Sequence, residues 1–334
     1  MPPPPIMTAL LTIICMALSP SAALANDLRF IVLGDLPYTD EQTRRFDSEI
    51  APALAKSDVP FVIHYGDFKG GRVACSNERM AASLESIFSL HKKVIFTPGD
   101  NDWTDCDRKS TKAPVSERLM LEQLRGALKS RFARQKDVEP VLSHQPGFPE
   151  NALWSSAGVV FVTVHMVGTN NGRDKIKLDD KKQALLAVQV RDMANGRWLK
   201  LAHERAVKEH ARAIIVTSHT DPTSNKRGGP CDAETAKCDG YLYIKQTVKE
   251  IAAAWGKPML YIHGSTDAYC LDKTFGGDTA PGLWRLNGPG DYWVKGLISG
   301  GVFDAAEITF HPQSKDRPFS VQTVLKGLMP DDGC

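Results

Sequence analysis

Three short apolar runs in the sequence each end in the dipeptide Gly-Asp, a pattern that can bring oxygen ligands together. The pairs are Gly34-Asp35, Gly66-Asp67 and Gly99-Asp100, and Asn101 follows the last. Asp35, Asp67 and Asn101 are 32 and 34 residues apart, which is about one strand and one helix in each interval. Glycine lets the backbone turn sharply and approach an ion or a phosphate closely. The pattern therefore predicts a site for a metal ion or a phosphate group.

Hydrophobic patterning predicts the elements that position these side chains. Apolar runs typical of buried strands occur at residues 28–33, 60–65, 93–97, 159–164, 213–217 and 259–262. Helical spacing occurs between them, at residues 42–56, 76–91, 115–134, 181–211 and 241–255. The alternation predicts an α/β fold with a central sheet and a ligand site at the carboxyl ends of its strands. Three final β-like runs, at 291–298, 306–310 and 319–325, predict a second sheet packed on the first.

Composition places the chain among ordinary globular proteins. Of its 334 residues, 42% are hydrophobic and 24% are charged, which excludes a wholly disordered or fibrous protein. Its 41 Lys and Arg residues nearly balance 39 Asp and Glu residues, so the charge gives no signature of nucleic-acid binding. We find no repeat and no interdomain linker, and we predict one domain at residues 26–334.

The N-terminus has the features of a secretory signal peptide. Residues 1–25 carry no charged side chain, and they contain an apolar run at 6–18 and the small-residue site Ala23-Leu24-Ala25. The usual basic segment is missing, so an uncleaved membrane anchor is the alternative. Pro20 and the small-residue site favour cleavage, and no later segment is apolar enough to span a bilayer. We therefore expect an exported protein, either periplasmic or secreted.

Cysteine content agrees with export. Removal of residues 1–25 leaves six of the seven cysteines, and an oxidising compartment favours their pairing. The pairing that we favour is Cys75–Cys106, Cys231–Cys238 and Cys270–Cys334. The alternative is a zinc site, but the chain has no C-x-x-C motif and no paired histidines near these cysteines.

The order of these motifs resembles that of the calcineurin-like metallophosphoesterases, and of an exported bacterial subgroup in particular. After the three Gly-Asp pairs come Asn101-Asp102, then His219, then His263-Gly264-Ser265-Thr266-Asp267. The resemblance covers about residues 28–310. It implies a two-sheet α/β/β/α sandwich with two metal ions that activate water against a phosphate ester.

The resemblance also implies a role for each matching residue. Asp67 would bridge the two ions, and Asp102 would assist proton transfer. Tyr38 is a possible substrate contact, and Ser265 and His263 are possible further contacts to metal or substrate. An oxygen-rich ligand set favours Mn²⁺, Mg²⁺ or Ca²⁺ over zinc or iron. The full set of implied metal ligands is Asp35, Asp67, Asn101, His219 and Asp267.

Three positions depart from the family's pattern. Pro37 and Ser265 stand where the family carries metal-binding histidines, and Asp267 replaces another. His263 could supply one missing imidazole if its strand ended early. We therefore expect an exported metal-dependent phosphoesterase that acts on a small phosphate ester. The alternative is a catalytically inactive extracytoplasmic binding protein on the same fold.

Overall fold

Two mixed β-sheets form the framework. The structure is a computed structural model that describes residues 1, 26–111, 113–224, 227–235, 237–265, 268–290 and 301–334. The first sheet has the order β12-β11-β1-β2-β3, and the second has the order β13-β9-β10-β8-β7-β6-β5-β4. In chain order the strands are β1 (Leu28–Leu33), β2 (Val62–His64), β3 (Val94–Phe96), β4 (Ser143–Gln145), β5 (Phe148–Ser156), β6 (Val159–Thr163), β7 (Ala213–Thr217), β8 (Met259–His263), β9 (Cys270–Asp272), β10 (Leu283–Asn287), β11 (Ala306–Phe310), β12 (Phe319–Thr323) and β13 (Asp331–Asp332).

Helices cover the outer face of each sheet. Three of the four long helices, α3, α4 and α6, begin at the capping residues Ser76, Ser116 and Asp180, whose side chains accept a backbone N–H from the first turn. A π-helical segment at Phe46–Ile50 joins α1 to α2, and α5 is a turn with left-handed dihedral angles rather than a regular helix. The helices are α1 (Asp40–Arg45), α2 (Ala51–Ala55), α3 (Asn77–Ser89), α4 (Glu117–Arg134), α5 (Gly168–Gly172), α6 (Lys181–Lys208) and α7 (Leu242–Trp255).

An aromatic cluster holds the two sheets together. Phe61, next to β2 of the first sheet, lies 5.0 Å from Phe161 and 5.5 Å from Trp154 of the second sheet, measured between ring centroids. Both pairs are edge-to-face, a geometry that contributes about 0.5–1.5 kcal/mol beyond the burial of the rings. A second apolar cluster lies between the first sheet and its helices, and a third lies between the second sheet and its helices. The chain is therefore an α/β sandwich, as the sequence predicted.

The prediction for the C-terminal strands was wrong. β11 and β12 do not form a second sheet, because β11 pairs antiparallel with β1 and extends the first sheet. Both strands alternate buried and partly exposed residues, which is typical of antiparallel strands with one solvated face. The second sheet is built mainly from the middle of the chain, with the C-terminal strand β13 at one edge. It includes β4, β5, β9, β10 and β13, which the sequence analysis did not predict. The predicted strand at 291–298 lies outside the described residues, as does the predicted signal peptide after Met1.

The three disulfides join the pairs that we favoured from the sequence, Cys75–Cys106, Cys231–Cys238 and Cys270–Cys334. The first of them ties the segment after β2 to the segment after β3. Such bridges fit an extracellular protein. Within the described part of the chain, no helix is both long enough and apolar enough to cross a membrane.

Glu117, the first residue of α4, is buried beside another carboxyl group. Its side chain and that of Asp107 are 3% and 1% exposed. The two carboxyl groups share a hydrogen bond, which requires a proton on one of them. Burial, together with the charges of Asp107 and Asp179, raises the pKa of Glu117 to about 9. Glu117 is therefore protonated at neutral pH in the folded protein.

We predict that Glu117→Gln stabilises the protein at alkaline pH. A carboxyl group whose pKa rises on folding favours the folded state below its unfolded pKa, and this contribution is lost as pH rises toward 9. Glutamine stays neutral, so the gain in unfolding free energy should be on the order of 1 kcal/mol at pH 5 and on the order of 4 kcal/mol at pH 8. Urea unfolding at both pH values measures it. Glu122→Gln, on the exposed face of the same helix, controls for the lost charge. An equal gain at both pH values would contradict the prediction.

Candidate metal centre

The carboxyl ends of three neighbouring strands deliver the acidic side chains. β1, β2 and β3 lie side by side and parallel in the first sheet. Each leads into one Gly-Asp pair, so Asp35, Asp67 and Asp100 meet at one edge of that sheet. β7 of the second sheet leads to His219, and β8 leads to Ser265. The site therefore lies where the ends of the two sheets face each other.

Asp35, Asp67 and His219 form a buried group that could hold a metal ion. One ligand atom from each lies within 4.8 Å of the others. The Nε2 atom of His219 is 3.5 Å from Oδ1 of Asp67 and 3.0 Å from Oδ1 of Asp100. The hydroxyl oxygen of Tyr38 lies 3.0 Å from Oδ1 of Asp35 and 3.1 Å from Oδ2 of Asp67, so its single O–H is shared between the two carboxylates. Short contacts thus connect three carboxylates, one imidazole and one phenol in a single cluster.

The backbone reaches this arrangement through an uncommon conformation. Asp35, Asp67 and Ser265 have φ values of 55°, 59° and 63°, in the left-handed region. Such strain costs on the order of 1–3 kcal/mol per residue and is often found at functional sites. A Cβ atom at Gly264 would lie 2.0 Å from Oδ2 of Asp35, and one at Gly99 would lie 2.0 Å from Oδ1 of Asp67. Only glycine lets the backbone pass this close to the carboxylates.

Burial and mutual repulsion determine the charges in this group. Burial raises the pKa of Asp35 and raises that of Asp67 well above its usual value, although the charge of His219 opposes both shifts. Burial also opposes the charge on His219, but the carboxylates of Asp67, Asp35 and Asp100 raise its pKa well above the usual range. One imidazolium therefore faces three acidic groups, and this excess of acidic groups favours a bound cation.

The orientation of His219 fits a metal ligand. Its Nδ1–H donates to the backbone carbonyl of Tyr65 at 2.9 Å, which leaves Nε2 directed at the carboxylates. Histidines that bind metals usually donate their other N–H in this way, because the bond fixes the tautomer. Two carboxylate oxygens and one imidazole nitrogen form a donor set that suits several divalent ions. The residues present therefore fit a metal ion.

The group opens into a cavity of about 640 Å³. Asp35, Asp67, Asp100 and Tyr38 line it together with the side chains of three arginines. The Nη2 atom of Arg108 contacts Asp105, and it lies 3.3 Å from Oγ1 of Thr169 and 3.8 Å from Oδ2 of Asp100. The cavity thus offers acidic groups to a cation and guanidinium groups to an anion. The arginines are Arg45, Arg72 and Arg108.

The remaining predicted ligands have different positions. Asn101 and Ser265 line the cavity, but the contacts that they make to the acidic group come from their backbone N–H groups, to Asp67 at 2.9 Å and to Asp35 at 3.0 Å. His263 is fully buried, and its Nδ1 donates to the carbonyl of Gly264 at 3.0 Å. It is not among the described residues that line the cavity, so the geometry does not favour a metal or substrate contact there. Asp267 lies outside the described residues.

Asp102 is positioned to hold the backbone rather than to transfer a proton. Its Oδ2 accepts the N–H groups of Asp67 at 3.0 Å and Gly99 at 2.8 Å, and its Oδ1 accepts that of Phe68 at 3.0 Å. The side chain is 1% exposed. Both oxygens are therefore occupied, and the geometry does not support the catalytic role that the resemblance implied. Asp102 instead fixes the turn that presents Asp67.

Sequence reasoning missed Asp100 as a site residue. The signal was present, because Asp100 belongs to the third Gly-Asp pair, but the family pattern directed attention to Asn101. In the structure Asp100 lies closer to His219 than Asp67 does, at 3.0 Å against 3.5 Å. Burial opposes its charge, but the hydrogen bond and the charge of His219 lower the pKa of Asp100. Nothing in the local sequence pointed to Arg108 beside it.

Comparisons with known proteins give little help. No family model and no curated protein match the sequence. Among solved structures, the chain is similar to one described as "GAP50 the anchor in the inner membrane complex of Plasmodium". The identity is 13%, the match covers 91% of this chain and 86% of that chain, and the TM-score is 0.46. A likeness this low carries no argument about function.

We predict that Asp102→Ala weakens the fold and metal binding together. The change leaves three buried N–H groups without their acceptor, each at a cost of about 1–3 kcal/mol. We expect the free energy of unfolding to fall by at least about 3 kcal/mol, and the affinity for Mn²⁺ to fall with it. Urea unfolding and calorimetry measure the two effects, and exposed Asp316→Ala is the matched control. A variant with normal stability and metal affinity that loses only turnover would instead restore the proton-transfer role.

Proposed function

We propose that the protein is a metal-dependent phosphoester hydrolase. The observation that carries the proposal is the buried group of Asp35, Asp67 and His219, in which one ligand atom from each lies within 4.8 Å of the others. These residues would hold a divalent ion. The motif order that resembles the calcineurin-like metallophosphoesterases supports the same conclusion.

The surrounding residues suit a phosphate ester. A divalent ion lowers the pKa of its bound water toward about 7 and stabilises charge on a phosphoryl group. Arg72 and Arg108 line the same cavity, and guanidinium groups bind phosphate oxygens well. Tyr38, whose O–H is shared between Asp35 and Asp67, is placed to orient a ligand beside them. In the family that the sequence resembles there are two ions, and the resemblance implies Asp267 as a further ligand of the first and Asn101 as a ligand of the second.

The donor set bears on which metal would bind, and the disulfides bear on where the protein would act. Carboxylates outnumber the imidazole at the site, which favours Mn²⁺, Mg²⁺ or Ca²⁺. The three disulfides and the predicted signal peptide support action outside the cytoplasm, in a periplasm or after secretion.

A second candidate function is ligand binding without turnover. Pro37 and Ser265 replace two histidines of the family pattern, which removes two imidazole ligands. A protein with this site could still bind phosphate through its arginines. Bound metal together with phosphate binding, but without hydrolysis of any ester, would favour this candidate.

We predict that Asp67→Asn abolishes metal-dependent hydrolysis. The oxidised protein is stripped of metal, loaded with Mn²⁺ and assayed with 4-nitrophenyl phosphate and bis(4-nitrophenyl) phosphate, while bound metal per chain is determined by elemental analysis. Loss of an anionic ligand should lower kcat/KM by at least about 100-fold, equivalent to roughly 3 kcal/mol, and should release the ion.

The control for this prediction is Asp40→Asn, an exposed carboxylate at the start of α1. It removes the same charge from a neighbouring segment and should leave both readouts unchanged. Hydrolysis that persists unchanged in folded Asp67→Asn would overturn the assigned site.

A further inference from the structure

A second cavity lies apart from the candidate metal centre, between the C-terminal end of α4 and the hairpin of β4 and β5. Its volume is about 540 Å³, within the range of roughly 300–1,000 Å³ that is usual for small-molecule sites. None of its lining residues lines the cavity of the metal centre. Its walls are largely apolar, with side chains from Phe132, Ala133, Val141, Leu142, Pro146 and Pro149.

The charged side chains that line this cavity are basic, and its other polar lining residues include the neutral amides Gln135 and Gln145. Lys93, Lys129, Lys136 and His144 line it, and no Asp or Glu is among the described residues that do so. Burial lowers the pKa of Lys93, and the nearby charge of Glu139 opposes that shift. Lys136 is 3.4 Å from Asp137, but both side chains are more than 70% exposed, so solvent screens that pair. The cavity therefore presents positive charge.

Lys93 is the deepest of these cations. Its side chain is only 2% exposed, and its Nζ donates to the backbone carbonyl of Gln135 at 2.9 Å. An ammonium group has three N–H donors, and in the described structure this carbonyl is the acceptor it reaches. A buried cation with spare donors is costly unless an anion or water meets it. Lys93 can therefore bind an anionic group at the base of the cavity.

A stacked pair of planar rings, one of them apolar, lies beside this cation. The ring of His144 stacks on that of Phe132, with centroids 4.2 Å apart and planes 24° apart. The Nδ1–H of His144 donates to the carbonyl of Pro149 at 2.7 Å, which fixes the orientation of the ring. Val141, at 55% exposure, leaves apolar surface in contact with solvent. These features suit a ligand with a planar apolar body.

We propose that this cavity binds a small organic anion with a planar apolar body, whose anionic group meets Lys93 and whose body lies against Phe132 and Leu142. A cationic ligand would be repelled by Lys93, Lys129 and Lys136. A fully polar anion would leave the apolar walls in contact with water. This binding site does not depend on the proposed hydrolase activity.

Calorimetry with three naphthalene ligands of nearly equal size tests the proposal on the full oxidised protein. The ligands are 1-naphthoate, 1-naphthalenemethanol and 1-naphthylmethylammonium. We expect naphthoate to bind about tenfold or more tightly than the alcohol, as one charge-assisted hydrogen bond allows, and the ammonium ligand to bind most weakly. Absence of naphthoate binding, or equal affinity for all three ligands, would overturn the proposal.

Variants locate the bound anion. Lys93→Met should lower naphthoate affinity about tenfold and leave the affinity for the alcohol unchanged. If that variant does not fold, the exposed pair Lys129→Met and Lys136→Met should still lower naphthoate affinity, whereas exposed Lys200→Met should not. Val141→Trp should obstruct the cavity for both the anion and the alcohol. Asp67→Asn should leave naphthoate binding unchanged, and a loss there would place the anion at the metal centre and contradict the proposal.

Discussion

The structure of the site depends on the repulsion among buried carboxylates. Asp35 and Asp67 are buried and Asp100 is partly buried beside them, and in a medium of low dielectric their charges cannot all persist without a compensating cation. His219 supplies one positive charge, and the hydroxyl of Tyr38 shares its proton between Asp35 and Asp67. A divalent ion would relieve the remaining repulsion. The same repulsion explains why such a cluster would not persist for stability alone.

This arrangement requires both sheets. The first sheet delivers the carboxylates and the second delivers the imidazole, so the site exists only while the aromatic cluster around Phe61 keeps the sheets in contact. Local hydrogen bonds and a disulfide then fix the turns that carry the carboxylates. Asp102 holds the turn at Asp67, and the Cys75–Cys106 bridge ties together the segments that follow β2 and β3. The left-handed backbone at Asp35 and Asp67 costs conformational energy, and it persists because these longer-range contacts stabilise it.

The sequence predicted more about the fold than about the contacts within the site. Hydrophobic periodicity located most strands and helices, and the three Gly-Asp pairs located the edge where ligands meet. Pairing between distant segments was harder to predict, because nothing local shows that β11 adds to β1. The roles of individual site residues could not be predicted for a related reason. Asp102 and Asp100 are two residues apart in one turn, and only the three-dimensional path of the backbone decides which carboxylate faces His219 and which accepts backbone N–H groups.

The two cavities differ in how they can bind an anion. At the metal centre, Arg108 is already engaged by Asp105 and lies near Asp100, so the acidic groups there offset much of the attraction for a phosphate. A bound cation would restore that attraction, which makes anion binding there depend on metal. The cavity at Lys93 has no acidic lining within the described residues, and its cation has spare donors. Anion binding there needs no metal, so dependence on metal distinguishes the two sites physically.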